Sequence, residues 1–305
     1  MYKNLIVIAG PTATGKTALS IEIAHFFQTE IVSADSRQFY DEIAIGTAKP
    51  SAKELSACKH HFIGHISIKE PYTAAQYEKD AMLCCTNLFE KHDTVVLTGG
   101  SGLYIDALCN GFDEAPASDE KIRNELQTLF ETNGIEALQK LLTEIDPDYA
   151  QQVDMQNPQR LMRAIEINRL IGKNMKFVRK GKRKQRPFGI IKICLRTNRV
   201  KLYENINKRV DHMIDAGLED EALSVYHQRN LNALQTVGYK EFFDYFDGKM
   251  SHAETVDKIK QHSRNYAKRQ LTWFRRDTSY HWFDYPEQKK LIIPFIQQQL
   301  SLSDN

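Results

Sequence analysis

Residues Leu5 to Ala9 form an unbroken apolar run, and after a glycine-rich stretch KTALSIEIAHFF places Leu19, Ile23 and then Phe26 or Phe27 at helical spacing. That pattern predicts strand, loop and helix in succession. EIVSA (30–34) predicts a second strand ending at Asp35, and TVVLTGG (94–100) a third running into Gly99-Gly100-Ser101-Gly102. Strands separated by helical patterns imply a parallel sheet with helices on both faces. Its loops then collect beyond the strand C-termini, where open α/β sheets bind ligands.

After FDEAPASDE (112–120) the period turns helical. Ile122, Leu126 and Leu129 share a face that Asn133-Gly134 breaks. Leu138, Leu141 and Leu142 share another that Asp146-Pro147 stops. A third helix is expected after Asn157-Pro158, through QRLMRAIEINRLIG. GIIKICL (189–195) then reads as a strand returning to the sheet. The expected organisation is a discontinuous core, 1–112 and 189–305, ending in basic helices, with a helical insertion at 113–188.

Composition narrows the class. With 305 residues, 42% apolar and 26% charged, the chain reads as a soluble protein of one large domain or a core with a smaller lobe. MYKNLIVIAG lacks the features of a secretory signal, and no apolar run is long enough to span a membrane. The five cysteines contain no CxxC, so free thiols in a reducing cytoplasm are expected rather than a zinc site. Net charge is only +2, but it is unevenly spread. Lys173 to Pro187 holds eight Lys or Arg and no acid, and Lys258 to Arg276 holds seven and no acid. Two such runs favour a polyanionic partner. Lys260, Arg264 and Lys268, at i, i+4 and i+8, put a basic stripe on one helical face.

Gly10-Pro11-Thr12-Ala13-Thr14-Gly15-Lys16-Thr17 fits G-x-x-x-x-G-K-[ST] and lies between an apolar strand and an amphipathic helix. Backbone N–H groups and the helix N-terminus would meet a phosphate, Lys16 would add a point charge, and the Thr17 hydroxyl could ligate Mg²⁺. A P-loop ATPase usually ends a second apolar strand in an acid that holds the metal, whereas TVVLT runs into Gly-Gly-Ser-Gly. The one well-placed carboxylate is Asp35, readable as a metal-linked acid, as a base for an incoming nucleophile, or as a helix cap.

GPTATGKT, ADSRQFY, IGTAKP (45–50), EPYTAAQY (70–77), GGSGLYIDAL (99–108), NPQRLMRAIEI (157–167), VGYKEF (237–242) and YAKRQLTWFRR (266–276) occur in that order. Together they resemble the bacterial tRNA dimethylallyltransferases, from the first strand to about residue 285. The resemblance implies a P-loop NTPase-like α/β fold with a helical insertion that contacts the tRNA anticodon stem-loop. It implies transfer of a dimethylallyl group from dimethylallyl diphosphate to N6 of the adenosine 3′-adjacent to the anticodon, in tRNAs reading codons that start with U. The loop at residues 10–17 would then hold the diphosphate of the prenyl donor, with Mg²⁺. Asp35 would take the amine proton, while Lys16, Thr17 and Arg209 would serve the diphosphate. Ser101, where the family usually has threonine, would keep a hydroxyl near the adenine. Asp35, Ser36, Arg37 and Gln38 would line the adenosine pocket, with Gln38 reading base edges. Arg123, Gln159, Arg160, Leu161, Met162 and Arg163, and Gln235, Thr236, Val237, Gly238, Tyr239 and Lys240, would contact tRNA, as would the HSRNYAKRQLTWF helix.

His60-His61 lacks a suitably spaced third ligand, so no metal is expected there. Tyr40, Tyr72, Trp273 and Phe274 read as packing residues or pocket walls. The zinc finger of animal and yeast relatives is not expected, nor is a membrane partner, and the chain is expected to be a monomer. The rival readings are an adenylate isopentenyltransferase, which would have little use for the insertion or the basic runs, and a P-loop small-molecule kinase, which leaves ADSRQFY and YAKRQLTWFRR unexplained. A non-catalytic RNA-binding switch would not need Asp35 at the phosphate site.

Overall fold

The computed structural model describes residues 2–113, 115–178 and 184–303. In chain order the first half runs β1 (Asn4–Ala9), α1 (Lys16–Phe26), β2 (Ile31–Ser33), α2 (Ala52–Ala57), β3 (His60–His61), α3 (Ala74–Phe89), β4 (Thr94–Gly99) and α4 (Gly102–Asn110). Four helices follow, α5 (Glu120–Ile145), α6 (Pro147–Ala150), α7 (Pro158–Ile171) and α8 (Met175–Val178). The chain continues with β5 (Gly189–Arg196), α9 (Arg199–Asp215), α10 (Leu218–Val225), α11 (Tyr239–Phe246), α12 (His252–Phe274), β6 (His281–Asp284) and α13 (Lys289–Ser303). It divides into two compact units, Met1–Asn110 with Gln185–Asn305, and Gly111–Lys184.

The first unit is built on a sheet of order β3-β2-β4-β1-β5-β6, with every pairing parallel. Ile6 and Ile8 pack against Leu19 and Ile23 of α1 and Ile292 and Ile296 of α13. Leu5 and Val7 point to the opposite face and are equally buried. Both faces are therefore covered, which is why β1 is apolar throughout instead of alternating. The strands β3 and β6 are edge strands too short to leave a hydrophobic period in the sequence. Of the two phenylalanines at the end of α1, Phe27 packs on the core and Phe26 is exposed.

Register decides where the loops meet. Ala9 lies opposite Gly99 of β4 and Cys194 of β5, and Ser33 lies opposite Thr98. The loops after β1, β2 and β4 therefore emerge side by side at one edge.

In the second unit, α5 and α7 pack through Leu126, Leu138, Leu142, Leu161 and Ile165. The helix α5 kinks at Gly134, where φ is +74°. Asp146 caps α6 and also accepts from the backbone N–H of Met175 (2.7 Å). Residues 179–183 of the first basic run lie outside the described residues. The chain rejoins the sheet unit earlier than its hydrophobic pattern indicates. Arg186 donates to the carbonyls of Ala107 and Leu108 and pairs with buried Glu78 (2.9 Å), and Phe188 packs on Phe89. Among the described residues, no helix is long and apolar enough to cross a membrane.

Candidate functional site

The loop between β1 and α1 turns through left-handed conformations at Ala13 (φ +62°) and Gly15 (φ +85°). At Gly15 a side chain is excluded twice, since a Cβ would also lie 2.6 Å from the Tyr285 ring. Thr14 Oγ1 and Lys16 Nζ both donate to the carbonyl of Pro11 (2.8 and 2.7 Å), and Asn205 of α9 donates to the carbonyl of Ala13 (3.3 Å). The α1 N-terminus has no side-chain cap and no acid in its first turn. Its N–H groups and dipole are left for an anion.

Thr12, Ala13, Gly15, Lys16 and Thr17 line a cavity of about 910 Å³ within the sheet unit, together with Asp35 and Arg209. Gly10, Pro11 and Thr14 shape the loop from behind and do not line it. Burial, and then the neighbouring charge of Arg209, lowers the Lys16 ammonium to about 8, while Asp35 opposes the shift. Arg209 is likewise lowered by burial, with Asp35 and then Glu54 opposing. Two buried cations thus stand together at the phosphate loop, an arrangement that suits a polyanionic ligand. The Asp35 carboxylate also accepts from the backbone N–H of Arg37 (3.2 Å), which closes a turn; no helix starts here, so the helix-cap reading does not hold.

Ser36, Arg37 and Gln38 follow Asp35 along the same wall. Gln38 donates to the carbonyls of Thr47 and Ala48 (3.2 and 2.9 Å), and Arg209 reaches the Ala48 carbonyl as well (3.4 Å). Arg37 donates to the carbonyls of Asn232 and Ala233 (2.8 and 3.0 Å), which anchors the segment preceding Gln235. Gln235, Thr236, Val237, Gly238 and Lys240 all line the cavity. Tyr239 does not: it is fully buried, and its hydroxyl donates to Glu221. Its side chain belongs to the core, unlike those of its neighbours. Ser101 stands behind the wall, accepting from the Ser36 N–H (3.0 Å) and donating to the Ser36 hydroxyl (3.1 Å).

The expected contact residues of the helical unit separate by environment. Gln159 and Arg160 are exposed at the start of α7. Leu161 and Met162 are buried in the unit's apolar core, so their side chains hold α7 in place. Arg123 and Arg163 both engage Glu166, which is fully buried, at 3.1 and 2.6 Å. Arg163 also donates to the carbonyl of Pro116 (2.7 Å).

The helix α12 contributes more than its basic residues suggest. Lys260 pairs with Asp211 (2.5 Å) and Arg264 donates to Asn207 (2.7 Å), so two members of the basic stripe face α9. Gln270 accepts from the Thr12 N–H (2.9 Å) and donates to the Gly100 carbonyl (2.8 Å). Trp273 donates to Asp106 (2.9 Å) against Gly102, and Phe274 is fully buried. Tyr40 and Tyr72 are packing residues that do not line the cavity. His61 bonds Glu30 (2.6 Å), and His60 lies at the cavity wall with its ring bonded to the Cys58 carbonyl (2.8 Å).

Two residues outside the expected set shape the site. Glu221 accepts from the N–H groups of Ala44 (2.8 Å), Ile45 (2.8 Å) and Gly46 (3.0 Å), holding the loop that carries Ala48. Glu221 sits among three acids in the first turn of α10, and nothing in the sequence singles it out. Gln270 falls inside a motif already quoted, but its spacing gives no sign of which loops it reaches.

A family model for IPP transferases matches residues 38–277. The tRNA dimethylallyltransferase 1 of Bacteroides fragilis is 46% identical over 298 residues, 98% of this chain and 99% of the relative. The crystal structure of the full-length tRNA isopentenylpyrophosphate transferase from Bacillus halodurans superimposes with a TM-score of 0.74 at 36% identity, covering 99% of this chain and 98% of that one. A eukaryotic dimethylallyltransferase acting on tRNA has the same fold, with a TM-score of 0.79 at 24% identity over 99% of this chain and 79% of its own.

Proposed function

The chain belongs to the IPP transferase family, and from that premise we propose that it transfers a dimethylallyl group from dimethylallyl diphosphate to N6 of the adenosine 3′-adjacent to a tRNA anticodon. The observation that carries this reading is one cavity joining a phosphate loop, two cations and the carboxylate of Asp35 to the walls at 36–38, 235–238 and 240. A kinase would need the first part of that arrangement and not the second.

The donor's diphosphate sits against the open N-terminus of α1, where Lys16 and Arg209 offset the charge that grows as it leaves. The allylic C–O bond breaks as the N6–C bond forms, and its electron pair departs with the diphosphate. The exocyclic amine is a weak nucleophile, and Asp35 takes its proton. The Thr17 hydroxyl and the Asp35 carboxylate both line the cavity as hard oxygen donors, and these two residues would hold Mg²⁺. When bound, the ion neutralises part of the leaving group's charge. The adenosine has to leave the anticodon-loop stack, at a cost of a few kcal/mol recovered in pocket contacts. Ser101 supports the adenosine wall through Ser36. Arg160 and the exposed start of α7 are proposed to meet the tRNA backbone.

The test is incubation with Mg²⁺, radiolabelled dimethylallyl diphosphate and unmodified tRNA, followed by mapping of the label. Label in the adenosine beside the anticodon is expected. Label in adenosine monophosphate with none in tRNA would indicate the free-nucleotide reaction. ATP consumption with no label transferred would indicate a kinase.

A further inference from the structure

We propose that Gln270 is a positioning residue that sets the spacing between the diphosphate loop and the loop Gly99–Gly102, and with it the distance from leaving group to base. The proposal rests on the reaction proposed above.

Tyr266, Gln270 and Trp273 lie at i, i+4 and i+7 on α12, hence on one face of the helix. Each meets a part of the glycine-rich loop. Tyr266 lies beside Ser101, Gln270 bonds Gly100, and Trp273 packs on Gly102. Gln270 alone continues to the other side of the cavity. It is 5% exposed, and its amide spends both ends on backbone, accepting from Thr12 N–H and donating to the Gly100 carbonyl.

The connection extends to the base. Ser101 N–H donates to the carbonyl of Ala34 (3.3 Å), the residue before Asp35. A Cβ at Gly99 would lie 2.2 Å from that carbonyl, and one at Gly100 would lie 2.3 Å from Gln270 Nε2. Thr12, Gln270, Gly100, Ser101 and Ala34 thus form a continuous bonded path from the phosphate loop to Asp35. Because the Thr12 N–H is turned towards Gln270, diphosphate contact is left to Lys16 and the start of α1.

Only a neutral group that donates and accepts together can span this gap. Methionine nearly matches its shape but can make neither bond normally. An ionised glutamate accepts from Thr12 and sets a negative charge against the Gly100 carbonyl. A protonated glutamate recovers the donor.

The experiment compares wild type with Gln270→Met, Gln270→Glu and Gly100→Ala. It reads prenyl transfer to tRNA from mildly acidic to mildly basic pH, and separately the binding of inorganic pyrophosphate by calorimetry. Gln270→Met is expected to lose about a hundredfold in kcat, the scale of an ångström's misplacement, with KM for tRNA little changed. Its pyrophosphate affinity is expected to fall about tenfold, since the loop's geometry is the shared cause. Gln270→Glu should resemble it at basic pH and recover relative to wild type as the pH falls. Wild-type kcat and pyrophosphate affinity in Gln270→Met would overturn the proposal, as would a Gln270→Glu pH profile parallel to wild type. If the Gln270 variants do not fold, Gly100→Ala, which displaces the amide from its other side, must show the same loss, and wild-type kcat there refutes the idea. Should wild type itself fail to prenylate tRNA, the reaction reading falls, and the pyrophosphate arm still decides the role of Gln270.

Discussion

Asp35 and Lys16 show how little of a residue's chemistry lies in its identity. Asp35 is one of several acids that follow short apolar runs. What suits it to the proposed role of base is its place in a cavity into which an amine can be brought. Asp35→Ala is expected to leave the tRNA dissociation constant nearly unchanged while cutting turnover by about 10²–10⁴-fold, as measured by single-turnover transfer beside filter binding. An equal loss of binding would mark Asp35 as structural. Lys16, lowered to about 8 in the free protein, should regain its ordinary basicity once a diphosphate replaces the water and offsets Arg209. The sign follows directly. Well below pH 8 the ammonium is already charged and binding takes up no proton there. Above it the amine is largely neutral, so binding takes up a proton and affinity weakens as pH rises. Calorimetry of pyrophosphate binding in buffers of different ionisation enthalpy should show uptake at basic pH that Lys16→Met abolishes.

Elements are stabilised by groups whose partners are remote in sequence. Glu166 is an interior position of α7, and its helical period alone would assign it a solvent face or a surface pair. Instead it is fully buried, accepting from Arg123, Arg163 and the Asp119 N–H (2.8 Å). Arg123 and Arg163 are themselves partly exposed, so removing the carboxylate loses charged hydrogen bonds without stranding a buried cation. Glu166→Ala should therefore destabilise the helical unit by about 2 kcal/mol, read as an earlier unfolding transition in denaturant. Helix ends were easier to read. Asn157 caps α7 with Pro158 at its first turn, and Gly172 ends it in a left-handed conformation, all three legible as local chemistry. On α12 the spacing of the basic stripe identifies a face but not its neighbour, which for Lys260 and Arg264 is α9.

At the scale of the whole molecule, the charge balance of +2 conceals where the positive charge lies. Binding of tRNA should weaken steeply with salt, while binding of the small donor should respond far less, because only the former releases many counterions. Arg160, exposed at the start of α7, belongs to that first dependence. Arg160→Ala should reduce the slope of log K against log salt by about one unit. An unchanged slope would remove it from the contact surface. Arg163→Ala is a poorer probe, since it also disturbs Glu166.

The sequence by itself determined the longer elements and the phosphate-binding chemistry they carry, but not the short edge strands β3 and β6. Apolar runs, caps and glycine breaks are local, and the phosphate loop, Asp35 and the order of motifs are legible along a single chain. What the tertiary structure decided was adjacency. Parallel register brought residues 10–17, 35 and 99–102 to one edge. Packing between distant segments then sorted Tyr239, Leu161 and Met162 into the interior and gave Glu221 and Gln270 their partners. The physical reason is that a hydrogen bond between residues 12 and 270 depends on the closure of everything between them, and no local propensity encodes that distance.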